Sequence, residues 1–529
     1  MRRWRDKASA FIIPAEISFM WARLFGVTAI LAAASGEARA DDLATLNKEI
    51  ASSKQKQAEL QKRLEKLEKA KAAPSAPAPT APAPTAYVAD AARAPLQELA
   101  SDAPLTWNGI TLFGVIDAGV SWQSHGAPFN GSYPQGLEYA ISKNSNRSMF
   151  SVAPGAMGYS GIGLKGEHEI LPGFAAVFGL NTQFNSGSGQ LANGPASLVQ
   201  NNGVPLAYQS GNGDSARAGQ AFNDYAYLGV SSADYGFLTF GRQRTLTTDD
   251  RSIYDPIPGS LAFSLLGYSG SLSSGDTENS RFDNSIKYLV HVGPARFGAI
   301  YKLGQPSNGS ATTNGPTYQV SAGFDYQALS FDAVYSQVSG AITLSSLSAA
   351  QMLAQPPGSL AATVSDNSAV LLSAKYTFGA FKFFGGYEHI DYADPGNPIA
   401  APFVDSNGYA VSVATNNAYQ YHDKILQVFW TGVKYAYDSH IDFSVGYYHE
   451  WQNSYGKIAC NFATNTKLVT NAATCSGTED AIGFVGEYHF NKKLEAYAGM
   501  MYSTVAGGMA NGFLNTNTID PTIGLRYAF

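Results

Sequence analysis

The side chains best suited to nucleophilic or metal chemistry are thinly spread through this chain. Its only two cysteines, Cys460 and Cys475, lie close together in a polar stretch, a placement that fits an oxidising compartment and one disulfide stapling a loop. The alternative is a pair of free thiols. No histidine stands beside them at ligand spacing, so metal binding there is not expected. The eight histidines, among them His125, His168, His291, His389, His422, His440 and His449, are scattered without a nucleophile motif around them. A hydrolytic site needs a nucleophile held by a base, or a paired carboxylate set. Gly161 and Gly163 form a Gly-x-Gly, but no helix follows to receive a phosphate, and glycine inside a strand eases packing or curvature instead. The reading is of a protein without cofactor, metal or catalytic centre.

Composition points to a membrane barrel. The chain has 529 residues with 53 Gly, 30 Tyr, 29 Phe and only 14% charged residues, while a mean hydropathy of -0.12 is too polar for lipid-facing helices. A strand that alternates apolar-out with polar-in averages to near-neutral hydropathy, and girdles of aromatic residues belong at both membrane interfaces. The net charge of -6 excludes a nucleic-acid partner, which would require a basic field.

Three segments precede the barrel region in a readable order. Leu24 to Ala34 is an apolar run ending near Ala38-Arg39-Ala40, shorter than the roughly 20 residues of a spanning helix and suited to a secretory signal peptide over residues 1–40. Met20 offers a more ordinary start than Met1. Leu43, Leu46, Ile50, Ser53, Gln57, Leu60, Leu64 and Leu67 then alternate steps of three and four, so residues 41–71 predict a periplasmic coiled-coil helix. It would be a trimeric stalk, or else a single solvated helix that forms weakly. Residues 72–107 include PSAPAPTAPAPTA, an extended Pro/Ala-rich linker.

From Asn108 to the end, helical periodicity gives way to alternation. Leu112, Gly114, Ile116, Ala118, Val120 and Trp122 share one face of the first strand, with Thr111, Asp117, Gly119 and Ser121 on the other. Sixteen segments of this kind follow in order, at 109–123, 157–169, 172–186, 221–232, 235–245, 280–293, 294–304, 317–327, 328–340, 367–378, 380–392, 424–437, 439–454, 479–491, 492–505 and 516–529. Their connections alternate short and long, as in a closed antiparallel barrel with tight periplasmic turns and external loops. The expected fold is therefore an all-β transmembrane barrel over residues 108–529. The last strand ends with Gly524, Tyr527 and terminal Phe529, a pattern similar to the signal read by the outer-membrane barrel-assembly machinery.

Read together, these residues resemble the trimeric Gram-negative general porins, in particular the proteobacterial branch whose first strand reads TLYGVIDAGV. Here Thr111 to Val120 reads TLFGVIDAGV. Further matches are Gly163 to Glu169 with Leu171-Pro172-Gly173-Phe174, Ala226 to Val230, Gly236 to Gln243 and Arg281 to Tyr288. The resemblance implies a sixteen-stranded homotrimer in outer-membrane lipid and lipopolysaccharide, whose third long loop, about 246–279, folds into the barrel. It also implies a constriction where loop acids face basic wall residues. The candidates are Asp117, Lys165, Asp224, Arg242, Arg244, Asp249, Asp250, Arg251 and Asp255. Gly161 and Asp224 stand where the branch often carries arginine, so the expected pore favours anions less than the branch does. Strict alternation puts Arg242 outward with Leu238 and Phe240, whereas a bulge near the strand end would turn it inward.

Two other readings compete. The stalk could serve mainly as a tether, with its basic residues on peptidoglycan, although Lys and Glu flanking a heptad seam are also the ordinary solvated face. A pore selective for one substrate class is the other, with Tyr133, Tyr254, Tyr268 and Tyr421 in long loops as candidate contacts.

Overall fold

The structure, a computed structural model, describes residues 62, 104–126, 143, 145–189, 191, 221–268, 280–303, 316–344, 362–396, 403–406, 409–412, 419, 421–457, 460, 474–511 and 513–529. Every one of these except Lys62, which is helical, lies in the second of the chain's two units, Asp90–Phe529. The signal-peptide and heptad readings, and most of the linker, fall outside the described residues.

Sixteen long strands close into one antiparallel barrel. They are β1 (Ile110–Gln123), β2 (Ser160–Leu171), β3 (Phe174–Phe184), β4 (Tyr225–Ser232), β5 (Gly236–Arg244), β6 (Arg281–Val292), β7 (Ala295–Lys302) and β8 (Thr317–Tyr326), followed by β9 (Leu329–Leu344), β10 (Ala362–Phe378), β11 (Phe381–Ala393), β12 (Lys424–Ala436), β13 (Ile441–Gln452), β14 (Gly477–His489), β15 (Leu494–Gly507) and β16 (Thr522–Ala528). Each pairs with the next. Closure comes from β16 on β1, where Ser121 faces Thr522 and Val115 faces Ala528. Main-chain closure satisfies every stave within the sheet, which lipid demands because it offers no hydrogen-bond partner.

The short turns owe their geometry to particular residues. Gly173, Gly293, Gln327 and Gly379 all take positive φ, the conformation that two-residue hairpins require. Gly236, after the turn between β4 and β5, takes φ 80°, and in two further turns an acid or amide side chain holds the bend. Asp438 accepts from the amides of His440 and Ile441 at 2.7 and 2.8 Å, and Asn491 accepts from Lys493 and Leu494 in the same way.

Alternation sorts the faces as expected. Val120, Ile162, Leu228, Phe240, Phe383, Phe484, Ile523 and Leu525 are exposed outward, a lipid-facing belt, and no described helix is long and apolar enough to cross a membrane. Four strands lie outside the sequence tally. Leu105–Trp107 pairs with the start of β1, and a hairpin of Phe403–Ser406 with Tyr409–Ser412 sits in a long connection. Met149–Pro154 pairs with the upper half of β1 while β2 pairs with its lower half. One stave is thus made of two pieces, interrupted at residues 155–159, where Gly155 turns at φ 75°. The final stave is broken as well, with Asn517–Ile519 separated from β16 by Asp520 and Pro521.

Side chains alone fill the lumen of a barrel of about eight strands, but not that of a wider one. Here the connection after β5 enters it. Thr245 caps a helix, α1 (Leu246–Tyr254), by accepting from the Thr248 amide at 3.3 Å, and the chain then runs through Ile257, Leu261, Phe263, Leu265 and Leu266, each at most 3% exposed. Leu261, Leu265 and Leu266 pack on an apolar stripe of the inner wall that includes Val334, Leu371, Ile390, Val428, Trp430 and Met501, and Ile257 and Phe263 pack with Val485 and Tyr497. Each such side chain contributes about 1.5–3 kcal/mol by leaving water.

Glycines on that wall let the loop backbone approach. A Cβ on Gly483 would lie 1.9 Å from the Phe263 carbonyl oxygen, and one on Gly432 would lie 2.5 Å from the Pro256 ring. Gly483→Val should therefore lift the loop off its seat, at a cost of about 1–3 kcal/mol for an overpacked contact. The expected result is a folded barrel with larger single-channel conductance than wild type. Unchanged conductance and unchanged loop protection from protease would contradict it.

Candidate functional site

The inward loop divides the predicted charged residues into two groups. The first latches the loop to the wall. Asp255 accepts from the Tyr448 hydroxyl at 2.8 Å, the Ser264 hydroxyl at 2.5 Å and the Ile257 amide at 3.0 Å. Arg251 donates to Glu388 on β11 at 2.8 Å, with both side chains buried, and Asp250 accepts from Ser373 on β10. Tyr254 bonds the Ser330 hydroxyl, and the Trp430 indole donates to the Tyr254 carbonyl. Asp117, on β1, is fully buried and receives the Tyr497 hydroxyl at 2.6 Å and the Met157 amide at 2.8 Å. The strand break at 155–159 is fixed by that contact, and Ala156 in turn accepts the Leu261 and Ala262 amides at the tip of the loop. Asp117, Asp250, Arg251 and Asp255 are thus buried where loop and wall are fastened, instead of standing as charges open to the lumen.

The second group surrounds open space. A luminal cavity of about 560 Å³ lies between α1 and the wall of β2 to β6, with Lys165, Arg244, Asp249 and Lys287 at its edge beside Tyr225 and Tyr227. Lys287 pairs with Asp249 across the gap between wall and loop. Arg244 donates two bonds to Asp224, at 3.0 and 2.5 Å, and its guanidinium lies over the Tyr225 ring. Arg281 binds the same carboxylate, and Asn181 donates to it at 2.7 Å. Asp224 is completely buried. Burial pushes its carboxyl up, but Arg281 and Arg244 outweigh this and hold it below the usual aspartate range.

A bulge does occur in β5, with register shifting between Gly241 and Gln243 and Gly241 at φ 129°. It brings Gln243 to the side of Thr239, whose hydroxyl donates to it, and leaves Arg242 bonded to the Asn223 carbonyl and to Asp283 at 2.5 Å. Arg242 is not among the residues lining the cavity. Sequence reasoning missed Arg281, Lys287 and Glu388 as site residues. Lys287 was legible as the polar face of β6, alternating with Ser285 against outward Ile286 and Tyr288. Arg281 and Glu388 gain their role only from partners far along the chain.

At the end of the barrel, the Phe529 amide and carbonyl exchange bonds with Gly114, each at 3.0 Å, and Tyr527 stacks on Phe529. Gly524 leaves room for the Tyr497 hydroxyl that reaches Asp117. Cys460 and Cys475 are joined by a disulfide.

A closed sixteen-strand barrel with its third long loop folded inward defines a porin-type membrane channel fold. The family model described as Gram-negative porin matches residues 78–508, and the chain belongs to that family of the Gram-negative outer membrane. An outer membrane porin protein of Bordetella pertussis is 26% identical over 179 residues, 34% of this chain and 38% of that protein, so the match spans well under half of the curated relative. In structure the chain is similar to the anion-selective porin from Comamonas acidovorans, with a TM-score of 0.52 at 14% identity, covering 79% of this chain and 99% of that one.

Two expectations follow from this geometry. Asp224→Asn leaves Arg244 and Arg281 facing each other without their shared anion. Breaking a buried pair costs about 3–5 kcal/mol, so the folded barrel should unfold at lower temperature in detergent, and the zero-current potential in a salt gradient should move toward anion preference. The second concerns pH. Burial raises Asp255, and raises Asp250 well above the ordinary value, so the seated loop binds protons more tightly than a released one. That contribution to seating is complete below about pH 4, the ordinary aspartate value, and is lost as pH rises through the raised values. Loop amides, corrected for intrinsic exchange, should be better protected near pH 4 than at neutrality, and Asp250→Asn should flatten the difference.

Proposed function

We propose that the protein is a passive channel for small hydrophilic solutes and ions across the outer membrane, with no catalytic role. The observation that carries this reading is the loop seated in the lumen, which leaves a charged cavity between α1 and the wall instead of a filled core. Fixed charges in a narrow, poorly screened passage act more strongly on a permeant than charges on open surface. The Comamonas porin is anion-selective by its name; here two arginines share Asp224, and Lys287 is met by Asp249, which supports a weaker anion preference or a lean toward cations.

The same reading makes the chain a homotrimer in lipid and lipopolysaccharide, inserted by machinery that recognises the strand containing Gly524, Tyr527 and Phe529. The constriction would be formed by Lys165, Arg244 and Asp249, with Asp224 setting the charge behind them. A tether to peptidoglycan through residues 41–71 remains a proposal of the heptad pattern alone.

Reconstitution into planar bilayers tests the channel directly. The expected result is stepwise conductance in simple salt, with a reversal potential under a gradient that shows no strong anion preference. Absence of steps from trimeric, heat-modifiable protein would overturn the channel, and clear anion preference would overturn the charge assignment.

A further inference from the structure

The lumen of a diffusion pore is expected to be polar, yet part of this cavity is not. Phe237 and Leu289 are direct cross-strand partners on β5 and β6, and both line it together with Tyr225 and Tyr227, whose rings lie 5.5 Å apart. Phe237 keeps 51% of its surface exposed in this position. Leaving such surface in water is unfavourable, and a solute with a planar apolar portion would cover it.

The charges at the same cavity separate into those already matched and those not. Arg244 is held by Asp224, and Lys287 by Asp249. Lys165 and Glu167 also line it; both are exposed, and among the described residues neither has an ion-pair partner, Lys165 lying over the Phe113 ring. They stand two residues apart on one face of β2, a rise of about 7 Å. A cation and an anion at that spacing match a solute carrying one carboxylate and one ammonium on neighbouring atoms, each charge meeting its opposite. A lone anion would gain Lys165 but face Glu167, and a lone cation would suffer the reverse.

We propose that this cavity is a binding subsite for zwitterionic aromatic solutes of amino-acid size, with the carboxylate at Lys165, the ammonium at Glu167 and the ring against Tyr225, Tyr227, Phe237 and Leu289. Its volume of about 560 Å³ falls in the range of small-molecule sites. The inference deepens the channel reading and rests on it for its role in transport.

The test uses the full trimer in two measurements. Calorimetric titration of detergent-solubilised protein with phenylalanine, benzoate and phenethylamine reads binding without any current, and bilayer recording reads brief closures of the open channel by the same three probes. Phenylalanine is expected to bind and to interrupt current, with the two single-charge probes weaker on the order of tenfold, the factor corresponding to about 1.4 kcal/mol. Lys165→Gln and Glu167→Gln should each weaken phenylalanine by a similar factor in calorimetry, and Glu167→Gln, whose residue is outside the constriction, should keep the conductance steps in salt. Phe237→Ser should weaken all three probes together. Equal binding of benzoate and phenylalanine, or an undiminished phenylalanine response in Glu167→Gln, would overturn the zwitterion assignment. Conductance steps with no binding would overturn the subsite alone, whereas binding without steps would overturn the channel and leave the subsite standing.

Discussion

The constraint on which the rest depends is the empty interior of a wide barrel. Sixteen staves satisfy their own backbone, but the circle they close is too large for inward side chains to meet across it. The segment from α1 to Leu266 occupies that space by burying its apolar side on β9 to β15. What remains open is the opposite side, along β2 to β6, and this asymmetry decides where solutes meet charge. The seat depends on missing side chains as much as on present ones, since Gly432, Gly446, Gly483 and Gly499 all face Pro256 or Phe263.

Electrostatics follows from the same division. Ionisable groups on the packed side are buried, and two are held across the seat: Arg251 takes Glu388, and Asp255 takes two hydroxyls and an amide. On the open side pairing is looser, and Arg244 keeps over a third of its side chain exposed while bound to Asp224. A buried carboxylate shared by two guanidiniums cancels one of their two charges. The charge that a passing solute feels is then set less by the number of arginines than by which of them are compensated.

The staves were legible because lipid on one side imposes a period of two along every strand, and all sixteen fall where alternation placed them. The split stave was not. Met149–Pro154 is six residues long and ends in Pro154, which reads as part of a loop until its pairing with β1 is known. The packed wall was also opaque for a physical reason. Where the loop lies against it, inward residues such as Ile390, Val428 and Trp430 are as apolar as the outward ones, so the contrast that marks a luminal face disappears. Asp224 and Arg281 are 57 residues apart, and no local pattern could announce that they meet. The charges of the loop could be named from the sequence; that most of them fasten it, while Asp249 alone among the described loop acids lines the cavity, required the partners.

Barrel and loop are held by different kinds of bond, and this separates what can vary. Closure is a property of main-chain pairing, which tolerates nearly any alternating sequence; the likeness to the Comamonas porin at 14% identity shows how little residue identity that fold needs. The loop seat is a matter of side chains in register with particular glycines and hydroxyls, so it admits fewer substitutions per residue. The cavity is bounded by both, with β2 to β6 supplying Lys165, Arg244 and Lys287 and the loop supplying Asp249. Changing a luminal side chain on β2 to β6 alters the passage without disturbing closure, whereas changing the loop alters the passage only by first disturbing the seat. Solute preference is therefore expected to be adjusted chiefly from the wall, and the dimensions of the opening chiefly from the loop.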